Sequence, residues 1–95
     1  MKGAGMEKHP TTVEGFGGSI EDLAAAVAKM RYDIIGVFLR ALVKEFRSQA
    51  KGDAKAGNSQ LSHLLTGLVL MLEYVVGQMD KIWKLCKKHM SIEAN

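Results

Sequence analysis

The sequence predicts an all-α fold: a long helical hairpin that dimerises to complete a four-helix-type bundle. Three observations predict it. Apolar residues recur at steps of three and four along two stretches, residues 23–46 and 61–90, the spacing of one helix face. Between them, "KGDAKAGNSQ" concentrates the turn signals, with two Gly, an Asn and a Ser. One Pro and three Phe argue against an all-β alternative.

Residues 1–18, "MKGAGMEKHPTTVEGFGG", hold five Gly and the only Pro and show no apolar period. They read as a flexible N-terminal arm, with Val13 and Phe16 as candidates for docking on the body. Residues 19–95 read as a single helical domain. Ser19 opens the first helix: "SIED" is a relative of the capping box, in which the Ser19 hydroxyl accepts from a first-turn N–H. Glu21 and Asp22 stand where the helix dipole favours anions. Leu23, Val27, Met30, Ile34, Phe38, Leu42 and Phe46 then form an apolar strip. Asp22, Lys29, Asp33, Gly36, Arg40, Lys44, Arg47 and Lys51 form the polar strip opposite. The strips stay in phase through "MRYD", so one helix to about residue 50 fits. A break near Arg31–Asp33, with Asp33 capping a new start, fits as well. Asn58 or Ser59 caps the next helix, which is expected to end near Met90, with "SIEAN" fraying.

The second helix carries a seam of heptad spacing: Leu61, Leu65, Leu68, Leu72, Val75, Met79, Ile82 and Cys86. Its flanking rows are apolar too. One holds Val69, Val76, Trp83 and Met90. The other holds Leu64, Met71 and Leu85, with Gln78 as the exception. Glu73 and Asp80 fall on a back strip with Thr66, Lys87, Tyr74, Lys81 and Lys88, interrupted by Leu70. A membrane span needs roughly 20 apolar residues all round. Any such window here includes Glu73 and either His63 or Asp80, and a carboxylate in lipid costs about 3 kcal/mol. No transmembrane span is expected.

A two-helix hairpin buries only its seam, so apolar flanking rows call for a further neighbour. The single cysteine, Cys86, allows no intrachain disulfide, and a core this small often needs association. A second copy is the expected partner, with Leu61, Leu64, Leu65, Leu68, Val69, Met71, Leu72, Val75, Val76, Met79, Ile82 and Trp83 as the core or dimer face. The lone cysteine suits a reducing compartment, and "MKGAGMEKHP" lacks the apolar stretch of a secretory signal. The expected location is the cytoplasm.

Net charge is +3, concentrated in residues 34–57 and 77–90. Arg40, Lys44, Arg47 and Lys51 form a basic stripe of the kind that binds phosphate backbones, so nucleic-acid binding is the alternative function. Lys81, Lys84 and Lys88 form a shorter row, and an anionic membrane surface is a second alternative. Exposed helix faces are commonly basic without binding anything. "CKKH" places Cys86 and His89 one turn apart, but zinc wants four donors and catalysis an oriented base. Glu73 and Asp80 lack the Glu-x-x-His of a di-iron bundle and read as solvated. No cofactor, metal or catalytic residue is expected. Gly36, Gly67 and Gly77 each weaken a helix by about 1 kcal/mol, tolerated at an exposed site or needed for close approach.

"MRYDIIGVFLRALVKEF" and "IWKLCKKHM" together resemble a small set of cyanobacterial helical proteins labelled as related to heterocyst differentiation. The resemblance rests on "RYD" followed by "FLRAL" and on the aromatic–Cys–Met ending, about a third of the chain. It implies a small soluble bundle with a short helix before "RYD" and longer ones after, and no catalytic residue. The function expected is a non-enzymatic structural or regulatory protein acting through protein–protein interaction.

Overall fold

The computed structural model describes the backbone of residues 9–94 and the side chains of residues 9–89. Residues 1–8 of the expected arm, and the side chain of Met90, lie outside that range. Three helices make up the described chain, in the order α1 (Ile20–Ala28), α2 (Tyr32–Lys55) and α3 (Ser59–Ala94). No strand occurs among the described residues. The chain divides into two compact units, Met1–Met30 and Arg31–Asn95.

In the first unit, the capping box expected at "SIED" is complete. The Asp22 N–H donates to Ser19 Oγ at 3.0 Å and the Ser19 N–H donates to Asp22 Oδ2 at 3.1 Å. Two orphan donors are thereby satisfied, with acids in the first turn. Just upstream, the Phe16 N–H donates to the Val13 carbonyl at 3.1 Å, closing a turn with Gly15 at φ +86. That conformation favours glycine. Val13 is exposed and Phe16 is half-buried.

The helical pattern is interrupted at Lys29–Arg31, the break that periodicity left open. The cap differs from expectation. Arg31, with extended backbone (ψ 142), precedes α2 and makes no side-chain cap bond. Asp33 lies inside the first turn, where the helix dipole favours an anion and the Arg31 guanidinium grips it. α2 also runs on to Lys55, through "KGDAK". The stop is a Schellman motif: the Asn58 N–H donates to the Asp53 carbonyl at 2.8 Å and the Gly57 N–H to the Ala54 carbonyl at 3.2 Å. Gly57 takes φ +88, so the turn is confined to Ala56–Asn58. At the other end, α3 continues to Ala94 rather than stopping near Met90. "SIEA" contains neither Gly nor Pro to end it.

α2 and α3 pack antiparallel, as the hairpin expectation required. The Ser62 hydroxyl donates to the Ala50 carbonyl (2.7 Å) at the closed end. Arg31 stacks over the Trp83 ring, 5.5 Å from its centroid, at the open end. Between these ends the core is Val43, Val69 and Val76, with Leu39, Phe46 and Leu72 packed against it. Ile35, Gly36 and Ala50 are buried on the same α2 face. Thus the inner seam of α3 runs Ser62, Leu65, Val69, Leu72, Val76, Met79, Trp83. It shares only the Leu65–Leu72–Met79 row with the expected seam. Leu61, Leu68, Val75 and Ile82 lie one row outside and are exposed. α2 is turned in the same sense: Ile34 and Phe38, expected inside, are exposed, while Gly36, expected on the polar strip, is buried.

Small residues explain the rotation. Ala50 meets Ser62, Val43 packs with Val69 and Val76, and a Cβ at Gly36 would lie 3.8 Å from Asp80 Oδ1, so short side chains line the contact from end to end. Val69 is the most enclosed core side chain, 2% exposed. Val69→Ala is therefore expected to lower unfolding free energy by about 2 kcal/mol, measured by denaturant titration. Glycine supplies the second test. A Cβ at Gly77 would meet nothing within 4 Å, whereas one at Gly36 would sit 3.3 Å from Arg40 Nη1. Gly77→Ala is expected to stabilise by about 1 kcal/mol. Gly36→Ala is expected to gain less, because the Arg40 side chain must move.

Candidate functional site

The two sides of the α2–α3 hairpin differ in chemistry. On one, Arg40 Nη2 donates to both carboxylate oxygens of Asp80, at 2.8 and 2.6 Å, and Arg47 pairs with Glu73. Asp80 and Glu73 occupy the α3 row beside the inner seam, which the rotation turns toward α2. Both remain partly exposed, so they are neither solvated alone nor buried. Pairs of this exposure are worth about 1 kcal/mol or less each and weaken with salt. Their main consequence is geometric: they bind only one side of α2 to one side of α3.

Arg31 adds a clasp at the open end. Its Nε donates to Asp33 Oδ1 at 2.7 Å and its Nη2 to Asp33 Oδ2 at 3.0 Å, while the guanidinium lies on Trp83. "RYD" and "IWKLC", far apart in sequence, meet here. Hydrogen bonding to Arg31 holds the Asp33 carboxyl below its ordinary value, against a smaller opposing effect of desolvation.

The opposite side of the hairpin carries no charge pair. Leu61, Leu68, Val75 and Ile82 line it from α3, at 49%, 37%, 41% and 42% exposure. Leu64, Met71 and Leu85, the next α3 row, are more exposed still. Phe38 and the half-buried Leu42 continue the surface on α2. An apolar row at heptad spacing, left open on one side of a two-helix unit, is the pattern that a neighbouring helix fills.

The expected interaction residues therefore fall into two groups. Val69 and Val76 are buried inside the hairpin, and Leu65, Leu72, Met79 and Trp83 are half-buried along its seam. Leu61, Leu64, Leu68, Met71, Val75 and Ile82 face outward. The basic stripe also divides: Arg40 and Arg47 are engaged by carboxylates, and Lys44 and Lys51 are exposed. Cys86 is half-buried and His89 exposed, and no group of three metal-ligating side chains occurs among the described residues. Sequence reasoning missed Ser62, whose hydroxyl ties the helices, and the cross-hairpin pairing of Arg40 and Arg47. Opposite charges on the two helices, each spaced by seven, were the available signal.

α3 contains one stretch, Ser59–His89, long and apolar enough by length and composition to cross a membrane, little of it buried within the chain. Among known proteins, no family model, no curated protein and no solved structure matches this chain.

The Arg31–Asp33 clasp has a pH signature. A carboxyl with a lowered folded pKa stabilises fully above its unfolded value, about 3.9, and loses that contribution as pH falls through the folded value. The stability difference between the wild type and Asp33→Asn is expected at neutral pH and to shrink below about pH 4. Denaturant titrations across pH measure it. A difference that does not change with pH would contradict the assignment.

Proposed function

We propose that the chain is a homodimeric interaction protein whose hairpins stack through their apolar sides into a four-helix bundle. The observation that carries this is the open row Leu61, Leu68, Val75 and Ile82, on the side opposite the ion pairs. Two features favour a second copy of the chain as its partner. The intrachain core is thin: among the described residues the buried apolar side chains are Ile35, Val43, Ala50, Val69 and Val76. Such a core gains most from a partner present whenever the chain is made. The surface also carries no charged residue among its α3 rows, so two copies meet without burying like charges.

On this reading the protein is cytoplasmic and non-enzymatic, a structural or regulatory module acting through contacts with other proteins. The link to heterocyst differentiation implied by the resemblance would supply a process, and the dimer does not depend on it. The same reading keeps α3 out of a bilayer core. Its antiparallel neighbour α2 exposes Lys44, Glu45 and Lys51, whose hydration a lipid interior would remove. Nucleic-acid binding loses force because two of the four stripe cations are held by Asp80 and Glu73.

Sedimentation at micromolar concentration tests the proposal. The chain mass is 10.4 kDa, and about twice that is expected. Leu68→Glu is expected to shift the equilibrium to monomer, whereas Leu70→Glu, outside that side, is expected to leave the dimer intact. A wild-type monomer, or equal effects of the two substitutions, would overturn it.

A further inference from the structure

The break between α1 and α2 has no terminator in the sequence around it. Residues 19–35 contain neither Gly nor Pro, and "LAAAVAKMR" consists of good helix formers apart from one Val. α1 stops without the left-handed residue that commonly ends a helix. Lys29 is right-handed (φ -85, ψ -9), and no non-glycine residue among those described has positive φ. Arg31 opens α2 without a side-chain cap bond. What engages the break is the clasp: the Arg31 guanidinium donates twice to Asp33 and lies on the Trp83 ring. Side chains two positions apart on a helix do not face each other. The Arg31–Asp33 pair therefore exists only while Arg31 stays extended, and the clasp and an unbroken helix exclude each other.

We infer that Lys29–Arg31 is a conformational joint, held bent by the clasp, which straightens into one helix from Ile20 to Lys55 when the clasp opens. Two further observations point to the straight form. The apolar steps run from Leu23 through Val27, Met30 and Ile34 to Phe38 without a phase shift, as they would on a single helix. A helix from Ile20 to Lys55 also has the 36 residues of α3. Ile34 and Phe38 are already exposed on α2, and Phe38 continues the open apolar side. Straightening places Leu23, Val27 and Met30 in line with them, so the joint sets how long an apolar strip this arm offers. The joint itself is independent of the dimer, whereas its effect on dimer strength rests on that reading.

Backbone chemical shifts of the full chain, which read helix residue by residue, test this. Non-helical shifts at Arg31 are expected in the wild type. Arg31→Gln removes the clasp at nearly constant helix propensity, and Trp83→Leu removes it without altering the joint. Both are expected to move residues 29–31 to helical shifts while α2 and α3 stay helical. Adding Tyr32→Pro to Arg31→Gln is expected to restore the break. Proline suits the first position of α2 and holds residue 31 extended, but does not suit the interior of a continuous helix. A break that persists in both single variants with the hairpin folded, or helical shifts at Arg31 in the wild type, would overturn the inference. In sedimentation, Arg31→Gln is expected to dimerise more tightly than the variant that also carries Tyr32→Pro. A joint that straightens in a chain sedimenting as a monomer would support the joint and contradict the dimer.

Discussion

The rest of the structure depends on the close packing of small side chains between α2 and α3. Val43, Val69 and Val76 form the core, and Gly36, Ala50 and Ser62 extend the line of short side chains at its ends. The Leu61–Leu68–Val75–Ile82 row is as apolar as the inner one, yet it lies outside. The small-residue seam wins because it permits three further contacts. Ser62 reaches the Ala50 carbonyl, Arg40 and Arg47 reach Asp80 and Glu73, and Arg31 covers Trp83.

That choice produces the two-sided hairpin. A seam flanked by ion pairs on one edge and by leucines on the other leaves one side polar and one apolar. An apolar row of this length invites a covering surface, and the described residues have little interior to compensate. On the proposed dimer, stability and association are a single problem, because a second hairpin would cover the row the intrachain core leaves open. The ion-paired side stays outward in such a bundle.

Much of this was legible in the sequence, for local reasons. The Ser19 capping box follows from residue types three positions apart, and a turn within "KGDAKAGNSQ" from its Gly, Asn and Ser, although not its confinement to Gly57. These need no tertiary information. The seam was not legible because α3 is apolar on adjacent rows. When Leu68 and Val69 are both apolar, periodicity locates a wide face but not its centre. The expected seam joined the Leu61–Leu68–Val75–Ile82 row to the Leu65–Leu72–Met79 row, and only the second lies inside. The missing information lay across the hairpin, in arginines at 40 and 47 and acids at 73 and 80. Asp33 misled for a similar reason: its main partner is the arginine two residues before it.

The central claim is that the hairpin completes its core with a second copy of itself. Thermal unfolding followed by circular dichroism over a hundredfold range of protein concentration tests it most directly. Folding coupled to dimerisation makes the midpoint rise with concentration. The account predicts that rise. A midpoint independent of concentration, with the helix content intact, would show that the hairpin stands alone and would contradict it.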